Sequence, residues 1–240
     1  MAEQLNFNEL FGDSVSAIGE PHLACVLLLD VSGSMRGNPI NSLNDSIRRF
    51  KEQVCMDEIA RKRVDVAIVT FSSTVQVVSD FVPVEKIPPV TLQADGLTMM
   101  AEGINTAIDL VKRRNSFYQQ IGIPFFKPWI FMITDGLSCS SRMAMDQVAE
   151  RIQREESAGS HGKLKFWVLG FNEYDCSQMK KLTKRVMEMR GYDFTSIFDW
   201  LSQSMTAISQ STVGENVPLD DLPNEARVAR EDRKIDEGWY

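Results

Sequence analysis

Four stretches of the chain are apolar almost without a break: residues 22–30 (HLACVLLLD), 64–71 (VDVAIVTF), 129–135 (WIFMITD) and 165–170 (KFWVLG). Unbroken runs of this length are too short for helices, and they match strands buried on both faces of a parallel sheet. The first and third end in aspartate. Between the runs the period changes. Leu43, Ile47, Phe50 and Val54 recur at helical spacing within residues 41–56, which predicts an amphipathic helix. Helices are also expected over 100–114, 144–155, 175–184 and 194–209, with a short strand at 186–189. Residues 75–82 (VQVVSDFV) alternate and follow the second run after only Ser72, Ser73 and Thr74. A parallel crossover needs a dozen or more residues, so this link predicts an antiparallel hairpin. Residues 83–97 contain Pro83, Pro88, Pro89 and Gly96 and read as a loop.

Strands alternating with helices imply an α/β fold, a mostly parallel sheet with helices on both faces and one antiparallel edge strand. The expected organisation is an N-terminal extension (1–20), one domain (21–212) and an acidic tail (213–240). Within residues 215–240 eight acids face four bases, so this segment carries −4 of the net charge of −7. Its composition allows disorder, and it equally allows a segment that folds onto a partner or back onto the domain through Trp239 and Tyr240.

At 240 residues and 43% hydrophobic the chain can bury an ordinary core. An acidic balance argues against general nucleic-acid binding, which needs clustered Lys and Arg. The cysteines Cys25, Cys55, Cys139 and Cys176 form no CxxC pair, and only His22 and His161 are present. That disfavours a disulfide framework, a zinc site or a histidine-rich centre. The start of the chain lacks a basic segment followed by an apolar one, and no apolar run approaches the roughly 20 residues of a membrane span. The expectation is a cytoplasmic protein.

In an open α/β sheet ligands bind at the carboxyl ends of the strands, where strand order reverses. Two aspartates, Asp30 and Asp135, stand at that rim. The first opens the sequence Asp30-x-Ser32-x-Ser34, the second follows Thr134 and precedes Gly136, and a further loop supplies Gly96-Leu97-Thr98. Hydroxyls at i and i+2 on a tight loop can face one centre, and Gly33 between them leaves room for close approach. Carboxylate and hydroxyl oxygens are hard donors suited to Mg²⁺. Taken alone, a DxSxS string also arises from ordinary turn chemistry, and Asp135 alone would serve as a backbone cap. Their joint placement at two strand ends favours the metal.

With these residues in place, DVSGS, Thr98 and Asp135 resemble the metal-ion-dependent adhesion site of von Willebrand factor A (vWA) domains, over about residues 20–210. The resemblance implies a six-stranded Rossmann-like sheet. It implies that Ser32 and Ser34 ligate Mg²⁺ directly, with Mn²⁺ or Ca²⁺ as alternatives. Thr98 would ligate directly or through water, and Asp30 and Asp135 largely through water. An open coordination position would take an acidic side chain from a protein partner. Leu97 departs from the pattern, since many vWA domains carry a small residue there. The segments CVLLLDVSGSM, LNDSIRRFKEQV, ARKRVDVAIVTF, KPWIFMITDG and FDWLSQSM, with VPL and GW in the tail, are similar to bacterial vWA proteins encoded beside tellurite-resistance genes. That narrower resemblance implies a regulatory or scaffold part in a stress response, with a protein kinase and a PP2C-type phosphatase as partners.

The alternatives are a metal-assisted phosphohydrolase and a metal-independent scaffold. Against an enzyme, Ser32 stands where a dehalogenase-type site needs a second Asp, and there is neither a P-loop nor a GxSxG elbow. Several local features remain open. Cys139 is expected near the site as a plain loop cysteine, His161 as a solvated turn residue, and Arg61, Lys62 and Arg63 as a solvated helix end. Arg142, Met143 and Met145 either contact a partner or pack at a helix start.

Overall fold

The computed structural model describes residue 16 and residues 19–158, 163–224 and 226–228. His161, Trp239, Tyr240 and nearly all of the 1–20 extension lie outside the described residues. The strands are β1 (Leu23–Asp30), β2 (Val64–Phe71), β3 (Val75–Pro83), β4 (Trp129–Thr134), β5 (Lys165–Phe171), β6 (Val186–Met189) and β7 (Ala226–Val228). They form one sheet in the order β3-β2-β1-β4-β5-β6-β7. The five from β2 to β6 run parallel, and β3 closes the β2 edge as an antiparallel hairpin.

Six strands and one antiparallel edge were expected; the sheet has seven strands and a second antiparallel edge, because β7 pairs with β6. The seventh strand comes from the acidic tail. Three residues flanked by charge carry no periodic signal, so tertiary pairing alone makes this strand. Upstream of it, Val217, Leu219 and Leu222 pack against the core, and the Trp200 indole N–H donates to the Asp220 carbonyl at 2.9 Å. The tail as far as Val228 therefore folds back onto the domain.

The helices are α1 (Asn38–Met56), α2 (Glu58–Arg63), α3 (Met100–Gln120), α4 (Arg142–Ser157), α5 (Cys176–Leu182) and α6 (Thr195–Gln210). The strands read as continuously apolar because each face has its own core. Leu23, Cys25, Leu27 and Leu29 of β1 face α1 and α6, whereas Ala24, Val26 and Leu28 face α3 and α4. The first layer is anchored by Trp129, Trp167 and Trp200, with ring centroids 4.9–6.2 Å apart.

Two helix boundaries were misread for physical reasons. The first helix begins at Asn38, because Pro39 fits its opening turn; read from sequence, that proline belonged to the preceding turn. α3 extends two turns past Arg114, which looks like a surface residue in the pattern and is in fact buried. Arg114 donates to Asp65 Oδ2 at 2.8 Å, His22 Nδ1 lies 2.8 Å from the same oxygen, and the Tyr118 hydroxyl donates to it as well. The basic run Arg61–Arg63 forms the last turn of α2, although Arg63 is held by Glu20 and the Ser209 carbonyl.

Burial opposes ionisation of Asp65, but its hydrogen bond from His22 and the nearby Arg114 cation outweigh it and hold the carboxyl below its ordinary 3.8. An acid with a depressed folded-state value stabilises the protein above its unfolded-state value, and that stability disappears as pH falls through the folded one. Breaking a buried charge network on one side leaves the other charges without compensation. Asp65→Ala is expected to lower unfolding stability by about 3–5 kcal/mol in denaturant titration at pH 7, with the deficit shrinking below pH 3.8.

Candidate metal centre

β1 has β2 on one side and β4 on the other. The chain leaves β1 towards one edge and returns through β4 towards the other, so the carboxyl ends of β1 and β4 flank the switch point. The register aligns Leu29 with Ile133. This sets Asp30 beside Thr134, and the Thr134 hydroxyl donates to Asp30 Oδ2 at 2.7 Å. The other oxygen, Oδ1, accepts the Ser32 backbone N–H at 2.9 Å. Asp30 is thereby fixed in place and forces the Asp30–Ser34 loop to turn back over the strand end.

The loop's two hydroxyls meet, with Ser32 Oγ 3.0 Å from Ser34 Oγ. Ser34 Oγ donates to Asp135 Oδ1 at 2.7 Å. Ser141 caps α4 through the Ala144 N–H. Thr98 arrives on a loop stitched to the first. The Gly33 N–H donates to the Gly96 carbonyl at 2.9 Å, and the Asp95 N–H to the Val31 carbonyl at 2.8 Å. Arg36 pairs with Asp95 and donates to the Ala94 carbonyl. Gly96 has φ +85°, and the Leu97 N–H that follows is held by Ser73 Oγ at 2.9 Å. Leu97 itself points to solvent, which leaves Thr98 buried and facing inward. A Cβ built on Gly136 would lie 3.7 Å from Ser34 Oγ and 3.8 Å from Thr98 Oγ1, so this glycine keeps open a space between the two hydroxyls. All five residues singled out by sequence converge on one rim.

Burial pushes the Asp30 carboxyl up to about 6, against the pull of its bonds to Ser32 and Thr134 and with help from the Asp135 charge. Burial also raises Asp135, partly offset by the Ser34 hydroxyl. Among the described residues neither carboxylate has an ion pair. The pair is therefore an electrostatic debt of the kind a cation relieves. Among the described residues no three His, Cys, Asp or Glu side chains gather around a point, so hydroxyls must complete any donor set. Two carboxylates and three hydroxyls are all hard oxygen donors, and they fit a small divalent cation that keeps some of its water.

Sequence reasoning left several contributors unassigned. Thr134 and Ser73 each fix a neighbouring loop, and the register between β1 and β4 was the signal that would have found Thr134. Leu97, Leu137 and Met143 are 58%, 62% and 69% exposed near this rim. Cys139 does lie at the site, its N–H donating to the Thr98 carbonyl at 2.8 Å, and it is an exposed free thiol. Met145 packs in the core, whereas Met143 and Arg142 face solvent.

The von Willebrand factor type A domain family matches residues 25–137, a stretch that contains all five residues. No curated protein matches the chain by sequence. Among solved structures it is similar to a von Willebrand factor type A protein from Catenulispora acidiphila, with 14% identity and a TM-score of 0.58 over 78% of this chain and 43% of that one. It is also similar to the vWF domain of the type V pili tip protein Mfa5 from Porphyromonas gingivalis, with 13% identity and a TM-score of 0.53 over 82% of this chain and 98% of that one. A PilB minor pilin from Streptococcus sanguinis gives 11% identity and a TM-score of 0.53 over 79% and 62%. The chain spans less than half the length of the Catenulispora protein. At these identities the likeness is one of fold, and the fold is that of a vWA domain.

A raised carboxyl makes the metal-free protein less stable above its folded-state value. Stability should therefore rise as pH falls from above 6 towards 3.8. In excess EDTA at pH 7, Asp30→Asn is expected to raise unfolding stability, by at most about 3 kcal/mol at 1.36 kcal/mol per pH unit. Thermal or denaturant unfolding measures this. A loss of stability would show that the carboxylate is not strained.

Proposed function

We propose that the protein is a metal-dependent protein-binding module. Ser32, Ser34 and Thr98 would hold Mg²⁺, and Asp30 and Asp135 would neutralise most of its charge, largely through water. When bound, the cation supplies an open coordination position for an acidic side chain of a partner. The observation that carries this reading is the chain of contacts from Thr134 through Asp30, Ser32 and Ser34 to Asp135. It gathers hard oxygen donors around buried carboxylates that have no ion pair among the described residues.

The surroundings support a protein partner. Leu97, Leu137 and Met143 form exposed apolar ground near the rim, so the partner's carboxylate would sit among apolar groups that exclude water and strengthen its contact with the cation. We read the module as a binder and not an enzyme. Ser32 and Ser34 are hydrogen-bonded to each other and Ser34 to Asp135, and among the described residues neither has a hydrogen bond to the imidazole or amine that a nucleophilic serine requires.

No helix among the described residues is long and apolar enough to cross a membrane. The finer part of the proposal, a regulatory or scaffold role beside a protein kinase and a PP2C-type phosphatase, rests on the resemblance of sequence segments to vWA proteins of tellurite-resistance loci.

Millimolar Mg²⁺ or Mn²⁺ is expected to raise the thermal midpoint of the wild type, and to leave unchanged a variant carrying Asp30→Ala with Ser32→Ala. Binding of N but not U stabilises as RT ln(1 + [L]/Kd), about 2.7 kcal/mol at a hundredfold excess over Kd. Equal behaviour of the two proteins would end the metal proposal.

A further inference from the structure

We propose that the opposite end of the sheet carries a second ligand site, a cationic pocket for a small organic anion in which a phosphate or carboxylate group is joined to an apolar body. The inference is independent of the metal site. A cavity of about 660 Å³ lies beneath the amino ends of β4 and β5, bounded by α3, α4, the end of α6 and residues 213–217. That volume is in the range of small-molecule sites, about 300–1,000 Å³.

The charges in this cavity do not balance. Lys112, Lys127, Lys163 and Lys165 line it, and its two glutamates are already engaged. Glu155 pairs with Lys112 at 3.4 Å, and Glu215 accepts the Thr212 N–H at 2.9 Å. Behind the wall, Glu156 is held by Arg185 at 2.7 Å. Among the described residues neither Lys127 nor Lys165 has a carboxylate within ion-pair distance. Burial, then the neighbouring cations Arg185 and Lys127, bring Lys165 down to about 8; burial and Arg185 lower Lys127. Holding half-buried cations together costs free energy, and an anion among them recovers it. In a chain of net charge −7, this concentration of positive charge is a local exception.

The rest of the lining fits an organic group. Phe125 supplies aromatic wall, with Phe126 and Trp129 buried behind it, and Lys165 Nζ sits 5.6 Å from the Trp129 ring centroid. Asn115 also lines the cavity, and its buried Oδ1 has no hydrogen-bond partner among the described residues. Lysine recognises phosphate and carboxylate as a point charge, the aromatic wall takes the apolar body, and the Asn115 amide accepts or donates one further hydrogen bond.

The test is titration of the full chain with 1-naphthyl phosphate and with inorganic phosphate, by calorimetry in excess EDTA so that no metal can capture either probe. Saturable one-site binding of naphthyl phosphate is expected, with inorganic phosphate weaker. Lys165→Met and Lys127→Gln should each weaken binding about tenfold or more, the worth of one charge-assisted contact. Lys180→Gln, on exposed α5, should not. Thermal unfolding identifies any variant that fails to fold, and either lysine variant alone suffices for the test. No saturable binding at millimolar probe, or equal affinity after both lysine substitutions, would overturn the proposal. A chain ended after Val228 should bind like the full chain. A gain of about tenfold or more on truncation would instead make the acidic tail the pocket's occupant and overturn the small-anion assignment.

Discussion

The contact between Asp30 and Thr134 crosses from β1 to β4 at the point where the sheet reverses its order, and the geometry of the rim depends on it. One oxygen of Asp30 is bound by the Thr134 hydroxyl and the other by the Ser32 N–H. The carboxylate therefore cannot swing away, and the loop after it must fold over the strand end. Ser32 and Ser34 are brought together as a result, and Ser34 reaches Asp135 from the next strand. The Thr98 loop is bound to the same loop through Gly33 and Gly96. The cost is a carboxyl pushed up to about 6 by its burial. A buried carboxyl at the rim, with the Ser34 and Thr98 hydroxyls beside Gly136, is the feature on which the proposed cation site rests.

The two ends of the sheet are electrostatic opposites. At the carboxyl end, burial raises the carboxyls of Asp30 and Asp135. At the amino end, Lys127 and Lys165 face a cavity in which the glutamates are already bonded elsewhere. Also at the amino end, in the second residue of β2, the Asp65 network shows how the same fold satisfies a charge internally. Arg114, His22 and Tyr118 all converge on one oxygen, and the carboxyl is held low instead of high. That contrast separates a charge satisfied within the fold from the charges that the two proposed ligands would satisfy.

Most of this was readable in the sequence where a single physical signal dominates. Strands buried on both faces leave continuous apolar runs; β2 coincides with the stretch expected, and β1, β4 and β5 fall within one residue of theirs. The five rim residues were visible because strand ends and turn chemistry coincide at Asp30 and Asp135. What stayed hidden depended on partners distant in the chain. Arg114 ended the expected helix because a charge in the pattern reads as solvent, although Asp65 buries it. β7 exists only because β6 offers an edge, and nothing local in Ala226–Val228 announces a strand. Thr134 looked like part of a strand end until the register set it against Asp30.

The most direct test of the metal account is the anomalous scattering of Mn²⁺ in crystals of the full chain. The expected result is a single strong peak at the rim, within ligand distance of Ser32 Oγ and Ser34 Oγ and close to Asp135. A peak bound elsewhere, or none at this rim in crystals soaked to millimolar Mn²⁺, would contradict it.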